Sequence, residues 1–144
     1  MPLLNRHALV AHSPKQMFRL VDRIEDYPEF LPWCGGTSIQ SRDDDQVTAS
    51  ITIAKGAIHK TFTTRNFLQT NKMIEVRLVD GPFKQLDGFW RFDAIGDGAC
   101  KISLDLKYEF ASKLLGLAIG PVFQQIATTM VDSFVQQANK VYGT

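Results

Sequence analysis

"PVFQQIATTMVDSFVQQANKVYG", residues 121–143, decides the fold. Phe123, Ile126, Met130, Phe134, Ala138 and Val141 recur in steps of three and four, the spacing of one face of an α-helix. The spacing predicts a helix opening at Pro121 and running toward Gly143, about 30 Å long at ~1.5 Å per residue. An apolar stripe of that length needs an apolar surface of matching length to cover it. "SKLLGLAIG", residues 112–120, precedes it and is expected to form a separate helical turn or lid, because two glycines and Pro121 interrupt helical continuity. No charge occurs from Leu114 to Val131, nearly the ~20 apolar residues that span a bilayer. Gln124, Gln125, Thr128, Thr129 and the Gly120-Pro121 break favour a buried or cavity-facing helix instead.

The matching surface lies upstream. "CKISLDLKYEF", residues 100–110, alternates Cys100, Ile102, Leu104, Leu106, Tyr108 and Phe110 against Lys101, Ser103, Asp105, Lys107 and Glu109, so one face is wet and one buried. "VDGPFKQLDGFWRF", residues 79–92, turns at Gly81-Pro82 and then sets Leu86, Gly88, Trp90 and Phe92 on one side. "VTASITI" gives Val47, Ala49, Ile51 and Ile53, and "MIEVRLV" gives Ile74, Val76 and Leu78. The threonine-rich "IHKTFTTRNF", residues 58–67, is a strand whose inner face is ambiguous, and a short strand is expected near Ile39. Before these, "NRHALVAH" reads as a strand ending at His12. "SPKQMFRLVDRI" reads as an amphipathic helix with Ser13 as N-cap, Pro14 in the first turn and Gln16 closing a capping box. Between helix and sheet, "DYPEFLPWC", residues 26–34, turns at Pro28 and Pro32 yet carries Tyr27, Phe30, Leu31 and Trp33. So greasy a turn must be buried against something.

Composition narrows function by exclusion. Sixteen basic and fifteen acidic residues leave a formal charge of +1, so no overall field draws the chain to DNA or an anionic surface. Lys55, Lys60, Arg65, Lys72, Lys84 and Lys113 are interspersed with acids, a modest footprint for RNA. Cys34 and Cys100 have neither CxxC nor zinc spacing, which fits a reducing compartment, and His7, His12 and His59 are too scattered for a metal or catalytic set. Glu75, Arg77, Arg91, Asp93 and Lys107 are expected to form cross-strand charge pairs on a solvated face. No GxSxG, P-loop or dinucleotide fingerprint is present, and residues 1–13 lack the features of a secretory or transit peptide. The expectation is one α+β domain over residues 1–144, a curved antiparallel sheet wrapped around the long C-terminal helix. No enzymatic role, metal or cofactor is expected.

"YPEFLPWC" at 27–34, "VDGPFKQLDGFWRF" at 79–92 and "IGPVF" at 119–123 resemble the coenzyme Q-binding protein and ribosome association toxin RatA family of the START-like, polyketide cyclase-related superfamily, with the likeness covering nearly the whole chain. The resemblance implies a helix-grip fold enclosing a hydrophobic tunnel between sheet and terminal helix, with residues 26–34 closing one end and Phe30, Leu31 and Trp33 turned inward. The cavity lining it suggests comprises Trp33, Leu78, Phe83, Leu86, Trp90, Tyr108, Leu115, Phe123, Ile126 and Met130, with Leu114, Leu117 and Ile119 as an entrance gate. It implies, first, a non-enzymatic carrier of a lipophilic molecule, ubiquinone or a related isoprenoid quinone in support of respiratory electron transport, with transient membrane contact. The alternative is a toxin that binds the large ribosomal subunit and blocks subunit association, inhibiting translation initiation. A third reading, a cyclase-like enzyme, requires inward polar groups, for which Tyr108 is the main candidate. The compartment expected is the cytoplasm, with peripheral placement at the inner face of the membrane on the carrier reading.

Overall fold

A computed structural model describes residues 3–143. Strand β1 (Leu3–Val10) is followed by helix α1 (Pro14–Asp22), a 3-10 turn at Ile24–Asp26 and the short helix α2 (Tyr27–Phe30). Strands β2 (Cys34–Arg42), β3 (Gln46–Lys55), β4 (Ile58–Gln69), β5 (Met73–Asp80), β6 (Phe83–Ile95) and β7 (Ala99–Phe110) lead into helix α3 (Lys113–Tyr142). The strands form one antiparallel sheet in the order β1-β7-β6-β5-β4-β3-β2. The α+β helix-grip arrangement is therefore present, with α3 against the concave face.

That order explains the apolar turn. β1 and β2 sit at opposite edges although only the α1–α2 segment separates them, so this segment must cross the width of the sheet. Its inner side closes one end of the core: Ile24 and Leu31 are 1% exposed, and Tyr27 and Trp33 are buried, while Phe30 is half-buried. α1 starts as its sequence requires, with Gln16 N donating to Ser13 Oγ at 3.2 Å and Ser13 N donating to Gln16 Oε1 at 2.9 Å. Arg42 of β2 ties the crossing segment down through both oxygens of Glu25, at 2.6 and 2.9 Å. Register breaks in β2 and at the start of β6 bend the sheet around the helix. At the β5–β6 turn Gly81 has φ +146° and its backbone lies so close to Phe62 that an added Cβ would sit 2.6 Å from the Phe62 Cβ, so no side chain fits there.

The C-terminal third departs from its reading. Residues 113–120 are no separate lid; α3 is one helix of 30 residues with Pro121 inside it. Ser112 caps it, its Oγ accepting from Leu115 N at 3.1 Å, so the helix nucleates upstream of the proline. Pro121 and Leu117, whose carbonyl loses its helical donor to the proline, are both exposed residues. The stripe also drifts: Phe123, Ile126, Phe134 and Ala138 are buried with Ile119, Ala127 and Val131, whereas Val141 is 53% exposed. The 3.6-residue period accumulates over so long a helix, and Tyr142 takes the inward place instead, its hydroxyl donating to the Gln16 carbonyl at 3.2 Å. β1 ends at Val10 rather than His12, because Ser13 and Pro14 already commit the chain to α1. On the convex face Arg77 pairs with Glu75 of its own strand and with Asp87 of β6 at 3.7 Å; Arg91, Asp93 and Lys107 close no ion pair among the described residues.

Two outcomes follow from this packing. A Cβ added at Gly116 or Gly120 would meet the Phe110 ring at 3.6 or 3.7 Å, ordinary van der Waals contact. Gly116→Ala and Gly120→Ala are each expected to raise the unfolding free energy by about 0.4–1 kcal/mol in urea titrations, and a loss at either would show that the helix needs its glycine. Arg42 holds the Glu25 carboxyl down from 4.5 to about 2. Because the folded value lies below the unfolded one, this link contributes in full above about pH 4.5 and is lost as pH falls toward 2. Neighbouring Asp22, whose carboxyl burial pushes up, acts in the opposite sense. Glu25→Gln should therefore flatten the acid limb of melting temperature against pH, with a change at pH 7 of no more than about 1 kcal/mol for so exposed a pair.

Candidate functional site: an apolar cavity under the long helix

Between α3 and the concave sheet lies a cavity of about 90 Å³. α3 contributes Phe123, Ile126, Ala127 and Met130 to its wall; the crossing segment contributes Val21, Ile24, Tyr27 and Trp33. The sheet supplies Ile51 and Ile53 of β3, Phe62, Thr64 and Asn66 of β4, Val76 of β5, Leu86, Gly88 and Trp90 of β6, and Leu104 and Leu106 of β7. Gly88 keeps the floor low, since a Cβ there would press within 3.3 Å of Leu106 Cδ1.

Aromatic clusters close both ends. Toward the start of α3, Phe123 packs edge-on against Phe83 and Tyr108 at 4.9 and 4.8 Å between ring centroids, and Phe110 stacks on Phe83 at 5.1 Å. Toward its end, Phe134 is met by Tyr27 and Phe30 at 5.4 Å each and by Trp90 at 5.3 Å. Edge-to-face pairs of this kind are held by ring quadrupoles as well as by burial. The tunnel implied by the resemblance is thus filled at both ends, leaving a short space between the two clusters.

Of the ten lining residues expected from the sequence, Trp33, Leu86, Trp90, Phe123, Ile126 and Met130 border the cavity, and Leu78, Phe83, Tyr108 and Leu115 do not. Phe83 and Tyr108 belong to the end cluster. Leu78, paired with Thr64 on the concave side, is half-buried against the core outside the cavity. The expected gate residues divide in the same way: Leu114 and Leu117 are 76% and 78% exposed, whereas Ile119 is 1% exposed and part of the core. One helical face cannot hold all three, because Ile119 lies two residues from Leu117 and so on the other side. Thr64 and Asn66 were missed. Both are buried on the inner side of β4, where alternation predicts apolar residues, and that explains why this strand's pattern was ambiguous.

The polar chemistry near the cavity is spare. Tyr27 donates its hydroxyl to the Val21 carbonyl, and burial pushes its phenol pKa up. Burial likewise raises Tyr108 and both free thiols, Cys100 to about 11, which disfavours the reactive thiolate. His12 is buried with its Nε2 2.8 Å from Asn139 Oδ1, pinning the end of α3 to the start of α1. Among the described residues no group of three His, Cys, Asp or Glu side chains could hold a metal ion.

Comparison with known proteins agrees with this geometry. Residues 10–135 match the polyketide cyclase/dehydrase and lipid transport family. The chain is 46% identical over 142 residues to the ribosome association toxin RatA of Escherichia coli K12, covering 99% of this chain and 90% of that protein. It is 43% identical over 140 residues to the protein of the same name from Pseudomonas aeruginosa, covering 97% of each. A more distant relative, 27% identical over 133 residues, is the mitochondrial coenzyme Q-binding protein of Dictyostelium discoideum, with 90% of this chain and 65% of that one covered. Among solved structures, an 18 kDa protein from Caulobacter crescentus superposes over the whole of both chains with a TM-score of 0.77 and 28% identity. A START superfamily protein from Mycobacterium smegmatis gives 0.72 at 19% identity, over 94% of this chain and 97% of that one. The Zhui aromatase/cyclase of a Streptomyces species gives 0.79 at 12% identity, over 96% and 94%, a likeness of fold alone. With its sheet, gripped helix and sequence all in accord, the chain belongs to the polyketide cyclase/dehydrase and lipid transport family and, within it, to the RatA family.

Proposed function

We propose that this cytoplasmic protein acts without catalysis, by associating with the ribosome through its surface, on the large subunit, and hindering subunit joining. The observation that carries the reading is identity of 43–46% over nearly the full length to proteins named ribosome association toxins. This reverses the order expected from sequence alone, in which a lipid carrier came first. The distribution of charge supports it. Strand direction brings Lys55 and Lys60 of the β3–β4 hairpin, Lys84 of the β5–β6 turn and Lys113 at the start of α3 to one end of the molecule. Asp43, Asp44 and Asp45 occupy the β2–β3 turn at the opposite end. Asp80 and Glu109 share that end, so four lysines against two acids leave it modestly cationic and suited to phosphate contacts. No metal or cofactor is part of this reading.

Added to ribosomes, the protein is expected to lower the joined fraction on sucrose gradients, and the effect should weaken with salt as counterion release loses force. Lys55→Glu/Lys113→Glu should reduce both cosedimentation and its salt dependence while leaving the melting temperature unchanged. An unchanged gradient at high protein excess would overturn the proposal.

A second reading, storage or carriage of a lipophilic molecule such as an isoprenoid quinone, is favoured by the almost wholly apolar cavity. Its volume of about 90 Å³ is well below the ~300–1,000 Å³ of ordinary ligand pockets, so a long tail requires α3 to lift from the sheet. Trp33 and Trp90 both border the cavity, so bound quinone should quench their emission more than that of free tryptophan at equal concentration. Quenching equal to the free control would count against this reading.

A further inference from the structure

One pair of side chains contradicts an otherwise apolar wall. Thr64 and Asn66 are 3% and 7% exposed on the inner face of β4, and their lateral neighbours are Ala49 and Leu78 for Thr64, Val47 and Val76 for Asn66. A strand in this setting is satisfied by valine or leucine, and a buried amide without partners is costly. The Thr64 hydroxyl donates to Asn66 Oδ1 at 3.0 Å, which commits the Asn66 carbonyl and leaves the Nδ2 hydrogens without a protein acceptor among the described residues. The amide is not sealed into packing, because Asp22 Oδ1 is the one fully enclosed side-chain polar atom lacking a partner among those residues. Its open side is the cavity that Asn66 lines.

We propose that the Thr64–Asn66 pair is a recognition point that donates a hydrogen bond from Asn66 Nδ2 to the oxygen of a neutral carbonyl compound with an apolar body, a ketone, quinone or amide. This rests on the second reading above, that the cavity takes a lipophilic guest. The pair works as a unit: with the Thr64 hydroxyl donating to Oδ1, Asn66 Nδ2 is the end of the amide left to face inward, and a donor is presented. Among the described residues no Lys, Arg or His borders the cavity, so a carboxylate would be buried unpaired there and is rejected. Size limits the guest further. A cavity of roughly 150 Å³ accommodates benzene, so at about 90 Å³ an aromatic carbonyl enters only if a wall yields. Met130, half-buried and unbranched, is the side chain best able to move.

Three probes of similar size test this by calorimetry or side-chain NMR on the full chain: acetophenone, ethylbenzene, which lacks the oxygen, and benzoate, which is charged. Acetophenone is expected to bind about tenfold more tightly than ethylbenzene, with benzoate undetectable at pH 7. Asn66→Leu should abolish that preference by weakening acetophenone while ethylbenzene binding persists, and Thr64→Val should reduce it. Equal affinity of the two neutral probes for the unmodified protein, or a preference that survives Asn66→Leu, overturns the assignment and leaves the cavity as a plain apolar site. If neither neutral probe binds the unmodified protein, the assignment and the lipophilic-guest reading fall together. The comparison of probes on the unmodified chain decides the matter even where a variant does not fold.

Discussion

The ring of Phe134, fully buried and met edge-on by Tyr27, Phe30 and Trp90, is the contact on which the rest depends. It joins α3, the crossing segment and the middle of the sheet at one point. Remove any of the three and the other two lose the apolar surface that covers them. The crossing segment can pass between opposite sheet edges only because this point supplies a place for its aromatic residues. The second aromatic cluster, around Phe123, fixes the other end of the helix in the same manner, and the cavity is the interval left between the two. Its small volume follows from filling two ends of a grip with rings.

Such a space joins the functional readings more closely than their names suggest. Surface association needs α3 held firmly, so that the cationic end and the exposed Leu114 and Leu117 keep a fixed geometry. Guest binding needs the same helix to yield. The two demands bear on opposite sides of one 30-residue element.

Much of this was legible because burial imposes period. The strands facing α3 could be read from alternation, and Ile24, Leu31 and Trp33 are inside because a strand order that separates β1 from β2 forces them there. The start of α3 was misread, since propensity puts a heavy penalty on Pro121 and two glycines, whereas a capping serine and contact with Phe110 outweigh it in the fold. The cavity was half legible. Alternation tells which side chains point inward, but whether an inward residue borders a void or fills a cluster depends on relations between distant strands: Tyr108 packs on Phe123, while Leu104, earlier on the same face of β7, borders the void. Thr64 and Asn66 carried a signal that was visible as ambiguity, a polar pair where the pattern asked for apolar residues.

The pairing of β1 with β7 has a consequence for biosynthesis. Leu3 is matched with Lys107 and Val10 with Cys100, so β1 has no partner until β7 has emerged, after all the other strands. Hairpins from β2 to β7 can form in order as they leave the exit tunnel, each beside its predecessor, but the edge occupied by β1 closes last. Contacts so distant in sequence slow folding, because their loop entropy is lost before their energy is gained. Until then β1 holds out Leu4, Ala8 and Val10, which the fold later covers, together with a row of unpaired backbone groups, a sticky segment that nascent-chain chaperones are suited to cover.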